Sequence, residues 1–239
     1  MDFVFGIPSY KRPECKTATM LMRNGVSAEN IFVALQDESQ LNDYREKHPE
    51  VNYIVRHADC AAGNRNTLIN ALNCPMVLLD DDINGFAIKK QGTPFKSADD
   101  FGQVITAFEN AVAQAKDNYC EVIGIAATTN DLIARGRGEY SYDCLLQGSV
   151  LILLTKFLFN ENWKMVEDYE HSLRYMRSGG HILRANYILA RKPKNGTNKG
   201  GLHDRYASGE LPRWITRLGK VYPEFKPNKQ KTGGYVRFG

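Results

Sequence analysis

The stretch Met76-Val77-Leu78-Leu79-Asp80-Asp81-Asp82 joins a short apolar run to three consecutive aspartates. An apolar run of this length, followed by polar residues, predicts a buried strand that ends at Leu79. Carboxylates crowded at the end of a strand repel one another unless a cation or several hydrogen-bond donors neutralise them. Oxygen ligands suit Mg²⁺ or Mn²⁺, so the aspartates predict a metal site. A turn rich in Asp is an equal alternative, because Asn84-Gly85 follows closely.

Apolar segments alternate with helical patterns on both sides of this strand. Leu68, Ile69 and Leu72 recur at helical spacing, and Phe101–Ala115 predicts an amphipathic helix. This alternation predicts an α/β fold with a mixed, mostly parallel sheet flanked by helices. The further predicted strands are Phe3–Ile7, Ile31–Leu35, Val51–Val55, Val122–Ala127 and Ser149–Leu154.

Polar side chains collect where the predicted strands end. In α/β sheets, ligands bind outside the carboxyl ends of the strands, near a reversal of strand order. Each such residue by itself is typical of a surface loop, but their repeated occurrence at strand ends indicates a binding site. Besides the aspartates, these residues are Tyr10, Arg12, Asp37, Arg65 and Asn66.

A second acidic segment, Glu167-Asp168-Tyr169-Glu170, is predicted to begin a helix. Val166, Tyr169, Leu173 and Met176 fall at helical spacing, and Gly179-Gly180 supplies a stop. Acids in a first turn complement the helix dipole, so their position alone does not indicate catalysis.

The C-terminal part of the chain is strongly basic. Residues 184–239 contain 13 Lys or Arg and 3 Asp or Glu, whereas the preceding part contains 18 and 24. Cations interleave with aromatic residues here, as in Arg213-Trp214 and Arg217. A solvated basic tail would have this composition, and so would a surface that binds phosphates and unstacked bases.

Length and composition predict a catalytic domain over residues 1–190, with a basic loop and tail over 191–239 that pack near the active site. The chain has 239 residues and 43% hydrophobic residues, enough for a substantial core. No apolar run is long enough to cross a bilayer, and five scattered cysteines show no zinc-type pairing. We therefore expect a cytoplasmic protein with no membrane partner.

Five motifs in this order give the chain a resemblance to GT-A nucleotide-sugar glycosyltransferases, particularly family-two-like members. The motifs are Ile7-Pro8-Ser9-Tyr10-Lys11-Arg12-Pro13, Asp37 with Ser39, Gly63-Asn64-Arg65-Asn66, Asp80-Asp81-Asp82 and Glu167-Asp168-Tyr169-Glu170. The resemblance implies an inverting, metal-dependent hexosyl- or pentosyltransferase that uses Mn²⁺ or Mg²⁺ and a nucleotide-sugar, with a UDP-sugar as the expected donor.

The resemblance also implies roles for individual residues. Asp168 would be the general base, with Glu167 as its substitute. The metal ligands would be Asp82, Asp80 and, in a loop after the acidic helix, His203. The residues implied in nucleotide-sugar binding are Pro8, Ser9, Tyr10, Arg12, Asp37, Arg65, Asn66, Asp80 and Asp81.

The short chain, the aspartate motif and the basic tail with Gly200-Gly201-Leu202 are similar to the TET-associated glycosyltransferases of bacteriophages. That likeness implies DNA with hydroxymethylated pyrimidines as acceptor, and the host cytoplasm as location. A glycan or small-molecule acceptor is the alternative, and an inactive nucleic-acid-binding module is a second one. The residues predicted to contact the acceptor are Trp163, Lys192, Lys194, Lys199, Arg213, Trp214 and Arg217.

Overall fold

A computed structural model of the chain describes residues 3–90, 93–98, 100–126, 138–193, 203–229 and 234–236. The side chains of His203 and Asp204 are outside this description. The helices are α1 (Lys16–Arg23), α2 (Leu41–Lys47), α3 (Ala61–Ala71), α4 (Phe101–Asp117), α5 (Glu167–Arg177), α6 (His203–Ala207) and α7 (Leu211–Val221).

The strands form one large sheet and two small ones. The large sheet contains β1 (Val4–Ser9), β2 (Ile31–Leu35), β3 (Asn52–Val55), β4 (Met76–Leu79), β7 (Cys120–Ile125), β8 (Tyr140–Tyr142), β9 (Val150–Leu153) and β10 (His181–Ala185). One small sheet contains β5 (Gly85–Ile88), β6 (Lys96–Ser97) and β11 (Ile188–Arg191). The other contains β12 (Phe225–Pro227) and β13 (Gly234–Val236).

Within the described residues, the large sheet has the order β3-β2-β1-β4-β9-β7-β10-β8. Neighbouring strands are parallel except at β9 and β8, which run against the other six. The protein is thus a mixed α/β structure with a large, mostly parallel central sheet, consistent with a Rossmann-like fold. The predicted fold class is confirmed.

Side chains of β4 alternate between two hydrophobic cores, one on each face of the sheet. Val77 and Leu79 pack in the core that contains most of α4, whereas Met76 and Leu78 pack with Leu68 of α3. All four β4 side chains are fully buried. A strand covered on both faces has to be apolar throughout. This explains why β4 is apolar at every residue and not only at alternate residues.

Strand order reverses between β1 and β4, which places a crevice outside their carboxyl ends. β1 leads to β2 and β3 on one side, and the chain then returns to place β4 on the other side of β1. The segment after β1 and the three aspartates after β4 therefore flank the same crevice. This is the position at which open α/β sheets bind ligands.

Helix α3 begins earlier than the sequence indicates. Gly63-Asn64-Arg65-Asn66, predicted as the loop before the helix, lies inside it because α3 starts at Ala61. Gly and Asn are weak helix formers, so the sequence predicted a helix only from the apolar residues Leu68 and Ile69 onward. For the other predicted strands and helices, most of the ends that lie in the described residues are within two residues of the observed ends.

A third hydrophobic cluster joins the basic C-terminal segment to the rest of the protein. Leu173 of α5 and the buried Trp163 pack against Ile215, Leu218 and Phe225. The helix α7 therefore contributes its apolar stripe to a shared core and leaves its opposite face exposed. The predicted division at residue 190 stays a prediction.

No helix in the described part of the chain is both long and apolar enough to cross a bilayer. All five cysteines are free thiols.

Phe108→Ala is expected to lower the free energy of unfolding by about 3–5 kcal/mol, because it removes a ring that is fully buried between Phe3 and Phe86. Urea denaturation measures this change. Tyr119→Ala is the control, because that ring is 85% exposed, and it is expected to change the stability by at most about 0.5 kcal/mol. Equal losses in the two variants would contradict the assigned core.

Candidate active site

The crevice outside β1 and β4 opens into a groove of about 1350 Å³. It extends from the ends of β2 and β3 to the start of α5 and the α6–α7 segment. Among the described residues that line it, eight are Asp or Glu and five are Lys or Arg. Of the residues predicted to bind donor, metal or proton, those lining the groove are Pro8, Ser9, Tyr10, Arg12, Asp37, Arg65, Asp80, Asp81, Asp82, Glu167 and Asp168.

Asp80 is held between two basic side chains. Its Oδ1 accepts a hydrogen bond from Nη2 of Arg65 at 3.2 Å, and its Oδ2 accepts one from Nζ of Lys192 at 2.7 Å. Burial raises the pKa of Asp80, but Lys192 and Arg65 outweigh this, and the net pKa is lowered. Asp80 is therefore ionised at neutral pH.

Asp81 faces away from Asp80 and anchors the segment after β1. Its carboxylate accepts from Oγ of Ser9 at 2.6 Å and from Nη1 of Arg12 at 2.7 Å. The hydroxyl of Tyr44 lies 2.7 Å from the same Ser9 oxygen and accepts from the backbone N–H of Arg12 at 2.9 Å. Because Asp81 and Ser9 are both buried, they shape the groove wall more than they face its interior.

The turn after β4 breaks the side-chain alternation of an extended strand. Oδ2 of Asp82 lies 3.6 Å from Nη1 of Arg12, which is also the partner of Asp81. The chain leaves strand geometry after Leu79, so the period-two rule no longer applies. The prediction that Asp80 and Asp82 share one metal stays a prediction.

The aspartates supply the hard oxygen atoms that Mg²⁺ and Mn²⁺ prefer. Within the described residues, no group of three or more His, Cys, Asp or Glu side chains is arranged to hold a metal. Asp80 and Asp82 therefore fit a divalent cation only if donor phosphate and water complete its coordination. The excess of acids over bases in the groove favours such a cation.

Arg65 lies buried at the junction of both acidic segments. Its Nη1 donates to Oε1 of Glu167, and its Nη2 donates to Asp80 and, at 3.1 Å, to the carbonyl oxygen of Gly148. A methyl group added at Gly148 would lie 2.8 Å from Nη2 of Arg65. A larger residue at 148 would push the guanidinium group of Arg65 away from this position.

The two acids at the start of α5 have different environments. Glu167 is 5% exposed and engaged by Arg65. Asp168 is half-buried, and its Oδ2 and Oδ1 accept from the backbone N–H groups of Gly148 and Tyr169, each at 2.8 Å. Burial raises the pKa of Asp168 and Arg65 opposes this rise. Asp168 is the better candidate for a base, because it faces the groove without an ion-pair partner at hydrogen-bonding distance among the described residues.

Val166, which directly precedes α5, adopts a left-handed backbone conformation with φ of 55°. This conformation is strained for a β-branched residue and occurs most often where the surrounding structure imposes it. It redirects the chain so that Glu167 and Asp168 begin the helix at the groove.

Several residues that line the groove are not among the predicted site residues, and Tyr206, Asn64 and Gln147 are three of them. Tyr206 of α6 lines the groove near Asp168, and its pKa is raised by burial and by the neighbouring carboxylates. Asn64 donates to the carbonyl oxygens of Ser9 and Ala34, each at 2.9 Å, and Gln147 precedes the Gly148 turn. Asn64 belongs to the motif Gly63-Asn64-Arg65-Asn66, whereas Tyr206 carries no signal in the sequence beyond its nearness to His203.

Asn66 and Trp163 do not lie where they were predicted. Asn66 is buried on the far side of α3, where its side chain bonds to both backbone groups of Phe159 at 2.7 and 2.9 Å. Trp163 is 3% exposed and belongs to the third hydrophobic cluster, so its ring is not available for stacking on a base. Both residues support the fold, and we remove them from the candidate site.

The remaining predicted acceptor residues separate into two groups. Lys192 lies in the groove on Asp80, not on an outer surface. Arg213 and Arg217 line a shallow cavity of about 400 Å³ on α7, and Trp214 is half-buried against Trp163. Lys194 and Lys199, and the side chain of His203, lie outside the described residues.

Models of protein families and curated protein sequences give no match to this chain. Among solved structures, the chain is similar to a mannose-1-phosphate geranyltransferase from Thermus thermophilus, with 13% identity and a TM-score of 0.34. The similar region covers 78% of this chain and 58% of that one. A likeness this weak says nothing about what this chain binds or does.

Arg65→Met is expected to lower the free energy of unfolding by about 3–5 kcal/mol, because it leaves Glu167 buried without its partner. Adding Glu167→Gln to this variant should restore part of the loss, since the remaining amide is neutral. Urea denaturation of the two single variants and the double variant measures the coupling.

Arg56→Met is the matched control, because Arg56 and Glu161 form an exposed pair at 3.5 Å. Its expected cost is at most about 1 kcal/mol. A loss in Arg65→Met no larger than in this control would contradict the assigned buried pair.

Proposed function

We propose that this protein transfers a sugar from a nucleotide-sugar donor to an acceptor hydroxyl. The observation that carries the proposal is the joint position of two acidic groups in one groove. Asp80 and Asp82 follow β4, Glu167 and Asp168 begin α5, and Arg65 contacts a member of each pair. Transfer needs a place for the departing diphosphate beside a base for the incoming hydroxyl, and this groove offers both.

The donor would lie outside the carboxyl ends of β1 and β2, with its diphosphate near the aspartate turn. Tyr10, Arg12 and Asp37 line that end of the groove and would contact the nucleotide. Arg12 is oriented by Asp81, and Asp37 accepts from the backbone N–H of Ser39 at 2.8 Å. These contacts hold the groove wall in place before a ligand binds, which lowers the entropy cost of binding.

Asp168 would accept the proton of the acceptor hydroxyl as its oxygen attacks the anomeric carbon. The two backbone N–H groups that bond to Asp168 fix the orientation of its carboxylate. Attack from the side opposite the departing diphosphate inverts the configuration at that carbon. Glu167 orients Arg65 instead of moving a proton, because its carboxylate is already engaged.

A divalent cation would be held by Asp82 and Asp80. Mn²⁺ or Mg²⁺ bound there supplies Lewis-acid stabilisation of the charge on the diphosphate. The groove itself carries excess negative charge, so a diphosphate could not bind tightly there without added positive charge.

The exposed face of α7 favours a nucleic acid as acceptor, with a hydroxymethylated pyrimidine in DNA as the expected target. Arg213, Arg217 and Lys220 are exposed, and none of the described acids forms an ion pair with them. Residues Glu210 and Leu211, at the start of the same helix, line the groove. A phosphate backbone bound to α7 would therefore run past the groove entrance, where an extruded base could enter.

A glycan acceptor is the competing function. It would use the same donor site and base, and it would not require the cations of α7. An inactive nucleic-acid-binding module would bind DNA in a salt-dependent way and cleave no donor.

The deciding experiment incubates the protein with Mn²⁺, a panel of sugar nucleotides and DNA with ordinary or hydroxymethylated pyrimidines, followed by nucleoside mass spectrometry. The proposal expects one hexose or pentose added to the modified base only. Donor hydrolysis that is unaffected by any DNA would favour the glycan alternative. DNA binding with no donor cleavage would favour the inactive module.

Asp168→Asn is expected to reduce the transfer rate by about 10²–10⁴-fold without weakening donor binding, because an amide cannot accept the proton. In the wild type, activity should fall as the pH drops through a pKa above the ordinary Asp value of about 3.9, since burial raises the pKa of Asp168 and the base must be ionised. A pH–rate profile measures this. Asp117→Asn, exposed at the end of α4, is the control.

Asp82→Ala is expected to abolish transfer at every Mn²⁺ concentration while the thermal unfolding temperature stays close to that of the wild type. The reason is that the metal loses a carboxylate ligand, whereas Arg12 keeps its contact with Asp81 at 2.7 Å. A metal titration of the transfer rate and a melting curve test both parts. Normal turnover in this variant would remove the metal assignment.

Arg213→Ala with Lys220→Ala is expected to weaken DNA binding and to reduce the slope of log K against log salt by about 2, since each phosphate contact contributes about 0.9. Fluorescence anisotropy between low and physiological salt measures the slope. Lys116→Ala removes an exposed lysine from the end of α4 and should leave it unchanged. Equal slopes in all three proteins would exclude α7 as the phosphate-binding surface.

A further inference from the structure

Lys192 lies within the groove because of the strand pairing around the aspartate turn. Strand β11 ends at Arg191, which is in register with Gly85 of β5, and the N–H of Asn84 donates to the carbonyl oxygen of Arg191 at 2.9 Å. Lys192 is the next residue, so it is anchored beside the aspartates by the backbone. Its Nζ reaches Oδ2 of Asp80 at 2.7 Å, and its side chain is 19% exposed.

The two cations on Asp80 are not equivalent. Arg65 is buried and also bonds to Glu167 and to the carbonyl oxygen of Gly148, so it cannot leave without exposing these partners. Lys192 has Asp80 as its single hydrogen-bond partner among the described residues. Lys192 is thus the cation that can be exchanged.

We propose that Lys192 and the divalent cation compete for Oδ2 of Asp80, and that the displaced ammonium group then binds the diphosphate of the donor. This inference rests on the proposed function, because it needs both a metal and a diphosphate in the groove. An ammonium group in contact with a carboxylate oxygen repels a divalent ion that approaches the same oxygen. The diphosphate is the nearest anion that an incoming donor supplies, and it would stabilise the lysine in its new position.

Lys192 would therefore be a positioning residue with opposite effects on two ligands. Without donor, it weakens metal binding and keeps Asp80 neutralised. With donor, it adds a positive charge to the phosphates. Metal and nucleoside diphosphate would consequently bind with positive cooperativity, since each favours the same position of Lys192.

The test compares the wild type with Lys192→Met, which keeps the length of the side chain and removes the charge. Mn²⁺ alone is titrated first, with the electron paramagnetic resonance signal of free Mn²⁺ as readout. UDP is then titrated by calorimetry at saturating Mn²⁺. The variant is expected to bind Mn²⁺ about tenfold more tightly and UDP about tenfold more weakly. Lys116→Met, with the same change in net charge, should alter neither affinity.

Opposite changes are the decisive result, because a variant with a distorted groove would bind both ligands more weakly. Unchanged or weaker Mn²⁺ binding by Lys192→Met would overturn the competition. If the wild type binds Mn²⁺ and transfers sugar but the variant shows no change in metal affinity, only this inference fails. If neither protein binds Mn²⁺ at all, the competition and the metal-dependent part of the proposed function fail together.

Discussion

The buried guanidinium group of Arg65 is the interaction on which the arrangement of the groove depends. It contacts Glu167, Asp80 and the carbonyl oxygen of Gly148, and its Cζ lies 5.3 Å from the centre of the Phe159 ring. A charge removed from water is tolerated only when its partners are fixed nearby. The helix α3, the end of β4, the start of α5 and the turn before β9 are therefore held at defined distances by one side chain.

This constraint assigns different tasks to chemically similar acids. Glu167 neutralises Arg65, Asp81 orients Arg12, and Asp80 is shared between Arg65 and Lys192. Asp168 is held by backbone N–H groups instead of by a cation at contact distance, and this leaves it able to accept a proton. Arg65, Arg12 and Lys192 thus neutralise part of the excess acid in the groove. An incoming metal would have to displace one of these three side chains.

The sequence predicts six of the eight strands described in the large sheet, because a strand buried on both faces must be an apolar run such as Met76–Leu79. It does not predict β8 and β10. It also places most of the donor-side residues, since the carboxyl ends of parallel strands meet at one edge. The start of α3 was mispredicted because its first turns contain Gly63 and Asn64, and the side chain of Asn64 donates to backbone carbonyl oxygens of β1 and β2. Such tertiary contacts leave no periodic pattern in the chain.

Contacts between distant residues account for the other differences. Lys192 and Asp80 are 112 residues apart and meet because β11 pairs with β5. Trp163 is buried because α7 packs against α5. A ring that the sequence predicts to contact the acceptor is therefore part of a hydrophobic core. Tyr206 enters the groove for the same reason, as part of the segment that leads into α7.

The most direct test of the central claim is the crystal structure of the protein with Mn²⁺ and a nucleoside diphosphate sugar. The account predicts the diphosphate outside the ends of β1 and β4, the metal on Asp82 and Asp80, and the anomeric carbon facing Asp168. A donor bound outside this groove, or a sugar turned away from Asp168, would contradict it.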